Sequence, residues 1–232
     1  MDSMSDKTIA VHQPNFIPWI GYFHKIVMSD TFVFLDDVEY TKRGFINRNK
    51  VKGPHGSTWL TVPVKASNKD RIMDVRIDNS KDWRGQHLKT FHHFYGKAKY
   101  FDRYKKFLDD IYMKEWVFLP ELNEFIITKI VRHLDIEVEI IHSSDLNINT
   151  KGEERIIDIC KKLNANIYFS GAGGKKYMNK ENFENKGIEL KYQHFEHPTY
   201  SQRFGKFIEK LSIIDLIFNE GKETSRKIIK NL

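Results

Sequence analysis

Along the 232-residue chain, short apolar runs alternate with longer segments in which apolar positions recur at helical spacing. The first run, residues 8–12 (TIAVH), breaks into a loop with Pro14 and Pro18, which lack an amide donor and hold φ, so a strand enters a structured loop. Residues 19–27 (WIGYFHKIV) have helical spacing, with Pro18 suited to the first turn. Residues 30–37 (DTFVFLDD) form a β-branched and aromatic run ending in two carboxylates, which predicts a strand covered on both faces. Two buried strands joined by a helix predict a right-handed, parallel βαβ unit.

Residues 40–56 (YTKRGFINRNKVKGPHG) are polar, basic and turn-rich and read as a loop, whereas 59–64 and 72–77 read as strands. Helical spacing spans 83–112, through Trp83, His87, Phe91, Phe94, Tyr95 and Ala98, and again 119–134. Residues 137–142 read as a strand, 153–163 as a helix, and 166–170 as a strand ending in the turn Gly171-Ala172-Gly173-Gly174. After the segment 190–195, a mostly helical tail covers 207–232. With no internal repeat, low-complexity segment or flexible linker, the expected fold class is α/β: a mostly parallel sheet of βαβ units with a helical insertion and a helical C-terminal tail. Residues 1–7 are expected to be a disordered tail and 8–232 a single α/β body, with 83–134 a candidate helical lobe.

Composition narrows the setting. Hydrophobic residues make up 40% of the chain and 17 residues are Phe, enough for a core without staples. No apolar run approaches the ~18 residues of a transmembrane helix. A single cysteine, Cys160, excludes an intramolecular disulfide, and the polar start lacks signal-peptide character, so a cytoplasmic location is expected. Lys and Arg total 38 against 31 Asp and Glu, a net charge of +7 that suits an anionic partner: nucleic acid, a nucleotide-linked metabolite or an acidic membrane face. Nucleic acid is disfavoured because no recognition motif joins the charge.

Candidate chemistry concentrates where strands end, because ligands of open parallel sheets sit at the carboxyl edge. After the first strand, His12 has the chemistry to protonate a leaving group or bind phosphate, and Asn15 to donate to an oxyanion; both also serve as ordinary turn residues. Asp36 and Asp37 are suited to a sugar hydroxyl, an amine proton or a cation, or equally to capping a turn. Lys42, Arg43, Arg48 and Lys50, with Asn47 and Asn49 among them, have the composition of a diphosphate clamp or of a solvated basic loop. The turn at 171–176, with Gly173, Gly174 and two lysines, follows neither the P-loop nor the dinucleotide-binding spacing, and reads first as a tight strand-to-helix turn. His194 and His197 lack a third clustered ligand, so no metal site is expected; Cys160 reads as a buried structural thiol. His87, His92 and His93 lie on an aromatic stripe of core type.

The segments IAVHQPNFIPWIGYFHKI, FLDDVEYTKRGFINRNKVKG, WLTVPV, IDNSKDWRGQHLKT, YFSGAGGKKYM and HPTYSQRFGKFIEKLSIIDLIFNEG, together spanning 8–222, resemble the WbqC-like family. Its members occur among bacterial genes for O-antigen and other surface polysaccharides, so the resemblance implies work on an activated sugar. It directs attention to the HQPN loop (His12, Gln13, Asn15), the Asp36-Asp37 strand end, and the HPTYSQ segment (His197, Tyr200, Gln202). Gly-Gly-Lys-Lys stands where the family pattern suggests an Ala-Lys-Asp-Tyr type of turn, so no acidic role is carried over there. The strand, His-containing loop and helix are also similar in outline to the entrance of the nucleotidyltransferase and pantothenate-synthetase-like superfamily, although its H-x-G-H pair is absent.

The expectation that follows is an acyl or aminoacyl transferase acting on the amine of a nucleotide-linked amino sugar. Its donor would be an acyl thioester on coenzyme A or an acyl carrier protein. In that scheme Lys42, Arg43 and Arg48 bind diphosphate, Asp37 or His12 takes the amine proton, and Asn15 with the Gly173-Gly174 backbone holds the oxyanion. His197 joins them as a catalytic candidate; Gln13, Asp36, Asn47, Tyr200 and Gln202 are substrate-binding candidates. The alternatives are a ligase or nucleotidyltransferase using ATP with magnesium, and a non-catalytic module that binds a sugar nucleotide or carrier protein.

Overall fold

The computed structural model describes residues 6–232; residues 1–5 of the expected tail lie outside the described residues. In chain order, β1 (Thr8–His12), α1 (Ile20–Val27), β2 (Thr31–Phe34), β3 (Arg48–Gly53), β4 (Gly56–Thr61), β5 (Val64–Lys65), β6 (Arg76–Ile77) and α2 (Trp83–Tyr95) come first. They are followed by α3 (Lys105–Tyr112), α4 (Leu119–His133), β7 (Glu139–His142), α5 (Gly152–Lys162), β8 (Ile167–Ser170), α6 (Lys180–Glu184), β9 (Glu189–Tyr192) and α7 (Ile213–Lys230). The described residues group into two units, one of 6–13, His24–Asp37 and Glu137–Glu196, the other of Pro14–Phe23, Val38–Ile136 and His197–Leu232.

The first unit is a five-stranded sheet in the order β7-β2-β1-β8-β9, parallel throughout, as the fold class requires. One face packs Ile9, Val11, Val33 and Tyr168 against Ile156, Ile159 and Cys160 of α5 and Phe183 of α6. Burial pushes the Cys160 thiol up to about 12, which leaves it protonated and inert. The order of strands reverses at β1. β1 runs with β2 from Ile9↔Thr31 to His12↔Phe34, but with β8 its pairs are Thr8↔Ile167 and Ile9↔Tyr168. Beyond that point β8 keeps company with β9 as far as Ser170↔Tyr192. The β1-β8 ladder therefore ends before the carboxyl ends of the two strands, at the reversal of strand order where open α/β sheets bind ligands.

The second unit holds the antiparallel pairs β3-β4 and β5-β6 with helices α2, α3, α4 and α7. β3 lies in the tract expected to be loop: its sequence RNKVKG is polar, yet Asn49, Val51 and Lys52 are buried, so tertiary contacts override composition. The strand expected at 59–64 is β4, which stops before Pro63; the first half of the one expected at 72–77 is a 3₁₀ turn, Ile72–Asp74, and its last two residues are β6. The helical tract 83–112 divides after α2 at Gly96. The tail becomes helical at Ile213, where Ser212 caps the helix, and is broken again at Gly221 (φ 73°), whose missing Cβ makes room for the Tyr100 ring. Phe218 is the hub of an aromatic core, touching Phe91, Tyr95, Phe101 and Tyr104.

His87 is buried in that unit, with its Nε2–H donating to Thr61 O (3.1 Å) and its Nδ1 accepting from the Tyr112 hydroxyl (3.3 Å). Burial lowers its pKa from 6.5 to about 4. The unfolded imidazole takes a proton first, so this contribution is complete above pH 6.5 and is lost as pH falls toward 4, up to about 3 kcal/mol. His87→Gln is expected to flatten the acid limb of stability, measured by urea unfolding at pH 4.5 and 7.0. An unchanged difference between the two pH values would assign that limb to other groups.

Candidate functional site

At the parting of β1 and β8 stands a group that sequence reasoning missed. Lys25, on α1, is 4% exposed and donates its ammonium to Val11 O at 2.7 Å. In β1, His12 O accepts from Leu35 N on the β2 side, so by strand alternation Val11 O faces the β8 side. Lys25 thus caps a carbonyl that the diverging ladder leaves without a strand partner. Among the described residues no carboxylate pairs with it, and burial lowers its pKa to about 7. The one signal in the sequence is a lysine inside the apolar stretch IGYFHKIV.

His12, one residue beyond Val11, is half-buried. A carbonyl can only accept, so the contact of its Nδ1 with Gln13 O (3.0 Å) puts the ring hydrogen on Nδ1 and the lone pair on Nε2. Burial, then the charge of Lys25, lowers its pKa to about 3, so the ring is neutral at physiological pH. Gln13 is half-buried beside it. Just after β9, Gln193 donates its amide to His24 Nδ1 of α1 at 2.8 Å, and His24 packs its ring on Phe169 of β8 and on Phe195.

Asp36 and Asp37, at the end of β2, are drawn into the loop after β7. Asp36 accepts from Ser144 N (3.0 Å), Ser144 Oγ (2.6 Å) and Ser143 Oγ (3.0 Å). Asp37 faces Ser143 Oγ at 2.6 Å and is ion-paired with the Arg155 Nη2, while Arg155 Nη1 donates to Ile148 O and Thr150 O. These carboxylates tie β2 to the β7 and α5 connections. After β8, Gly174 is buried so closely against Ser170 Oγ that a Cβ would lie 2.2 Å from it, whereas Gly173 is exposed with open space around it. The turn between them is a 3₁₀ helix, Ala172–Lys176.

The remaining candidates belong to the second unit. Asn15 is buried, and its loop is held by Asn123 Nδ2 on Pro14 O and Ile46 O (2.8 Å each) and by Asn49 Nδ2 on Phe16 O and Ile17 O. Asn47 bonds Val62 O across the hairpin. Lys42 and Arg43 are exposed; Arg48 donates to Arg43 O (2.5 Å) and lies 4.3 Å from the centroid of the Trp59 ring. His197 donates through Nδ1 to Pro198 O and accepts at Nε2 from Lys210 N. Tyr200 donates to Asp215 Oδ2 (2.9 Å), and Gln202 accepts from Ile208 N and from Lys52 Nζ. Asp215, Tyr95 and Lys52, the centre of this buried network, were not among the candidates, because nothing in their local sequence marks them. His194 and His197 lie in different units. Among the described residues no three His, Cys, Asp or Glu side chains are placed to hold a metal ion.

Fold and sheet edge define an α/β protein whose parallel sheet reverses order at β1, with a neutral histidine and a buried lysine beside the reversal. The chain belongs to the WbqC-like protein family, whose model matches residues 13–227. It is 33% identical over 221 residues to an uncharacterized protein, Rv1507c, of Mycobacterium tuberculosis (strain ATCC 25618 / H37Rv), covering 94% of this chain and 95% of that one. Among the described residues no helix is long and apolar enough to cross a membrane.

Proposed function

We propose that this protein is a group transferase of surface-polysaccharide synthesis, acylating the amine of a nucleotide-linked amino sugar bound at the carboxyl edge of the β7-β2-β1-β8-β9 sheet. The observation that carries the reading is His12: a neutral imidazole with its lone pair on Nε2, just beyond the end of the β1-β8 ladder. Of the two groups considered for the amine proton, Asp37 is committed to Arg155 and Ser143, so the role falls to His12. The amine attacks the acyl carbonyl, a C–N bond forms as the thioester C–S bond breaks, and the amine proton passes through His12 to the departing sulfur. A bound anion offsets the charge of Lys25 and raises the basicity of His12 toward the working range. Family membership supports the sugar-nucleotide class.

The test is to scan the purified protein for thermal stabilisation by dTDP-, UDP-, GDP- and CDP-linked amino sugars, then to follow acylation by mass spectrometry with acyl-coenzyme A and acyl carrier protein donors. The expected result is one stabilising amino-sugar nucleotide, gaining one acyl group, with turnover reduced about 10²- to 10⁴-fold in His12→Ala. No stabilisation and no acylation with any of them overturns the reading. Strand order favours a second reading, since the same edge suits ATP in a ligase or nucleotidyltransferase. Stabilisation by ATP with magnesium alone, with release of diphosphate, selects it.

A further inference from the structure

Lys25 is a basic amine built into the interior without a counter-charge. Buried lysines are ordinarily paired, because an ammonium taken out of water needs an opposite charge or a full set of acceptors. Lys25 has three donors and one acceptor, Val11 O, and that acceptor is a carbonyl that carries no formal charge. Its neighbours do not supply the missing negative charge: the His12 ring is neutral, and the acidic pair Asp36 and Asp37 is engaged by Ser143, Ser144 and Arg155. The place is specific as well. The β1-β8 ladder stops at Ile9↔Tyr168, and Lys25 occupies the first carbonyl beyond the break.

We propose that Lys25 Nζ is the anchor for a phosphoryl group that enters between the carboxyl ends of β1 and β8. A phosphoryl oxygen supplies both the missing negative charge and the missing acceptors, and a compact ammonium meets it as a point charge without demanding a fixed plane. Half-buried His12 directly follows Val11 in β1, and half-exposed Gly171 directly follows β8, so partly accessible backbone begins one residue beyond the carbonyl that Lys25 holds. This assignment rests on the transferase reading for the rest of the ligand, but on the structure of Lys25 for the phosphoryl group.

The experiment uses the full chain with inorganic pyrophosphate as probe, by calorimetry and thermal shift, alongside uridine, UMP and UDP. Wild-type protein is expected to bind pyrophosphate saturably and UDP more tightly than uridine. Lys25→Met should weaken pyrophosphate and UDP about 10- to 100-fold. It should leave uridine unchanged and, lacking an uncompensated buried charge, be at least as heat-stable as wild type without ligand. Equal pyrophosphate affinity in the two proteins, or a ligand-free variant that folds but melts well below wild type, would show that Lys25 is structural. If Lys25→Met does not fold, Lys25→Gln carries the same comparison. Lys25-dependent pyrophosphate binding without acylation of any amino sugar keeps the anchor and removes the transferase; acylation with unchanged KM in Lys25→Met does the reverse.

Discussion

Replacing Asp215 with Leu is expected to remove about 2–6 kcal/mol of stability, read from the urea midpoint of the second unit. Asp215 is wholly buried in the first turn of α7, where Tyr95 donates to Oδ1 at 2.7 Å and Tyr200 to Oδ2 at 2.9 Å. Tyr95 OH in turn accepts from Lys52 N, so one carboxylate ties α2, β3, the 197–212 segment and α7 together. Burial raises its pKa, and the two hydroxyl bonds and the nearby Lys52 charge oppose that shift. Leu fills the space but leaves both hydroxyls without their acceptor in a dry interior, at about 1–3 kcal/mol each. Asp215→Asn retains an acceptor and should lose less. A loss below about 1 kcal/mol for the Leu variant would mean that the hydroxyls find other acceptors, and the network is then not what holds these elements.

Arg155→Met is expected to destabilise the first unit by about 3–5 kcal/mol, because it strips Asp37 of its counter-charge in a site where the pair is largely buried. The arginine side chain is 10% exposed and the aspartate 16%, so water replaces little of what is lost. The carbonyls of Ile148 and Thr150 lose their donor in the same step. Asp37→Asn together with Arg155→Met should recover part of the loss, since the stranded charge is gone. A double-mutant cycle measures the coupling directly, and a value near zero would show that Arg155 stabilises through its carbonyl bonds alone. The same result bears on the proposed transfer: a carboxylate tied this firmly positions the β2 end, which is the reason the proposal gives the amine proton to His12.

The apolar rhythm made the sheet legible. Runs such as TIAVH and DTFVFLDD are too short and too apolar for anything but buried strands, and the helix between them requires parallel pairing, as β1 and β2 show. Polar strands were not legible. In β3, Asn49 and Lys52 are interior because Asn49 bonds the carbonyls of Phe16 and Ile17, and Lys52 reaches Gln202 and the carbonyl of Lys206. Those partners lie 32 or more residues away, which no local pattern encodes.

Candidate residues divide in the same way. The sequence placed His12, Gln13, Asp36 and Asp37 at strand ends, where the structure has them, because strand termini follow from where apolar runs stop. It could not say which polar groups were already committed. Asp36, Asp37, Tyr200 and Gln202 have their partners supplied by segments distant in the chain, whereas Lys25, hidden in a helical stripe, lacks a counter-charge. Periodicity is a property of neighbours within a few residues and by itself determined the α/β class, the parallel β1-β2 pair and the candidate edge. Charge compensation depends on what the fold brings near each group, so only tertiary structure decided which of the polar residues have a compensating partner and which do not.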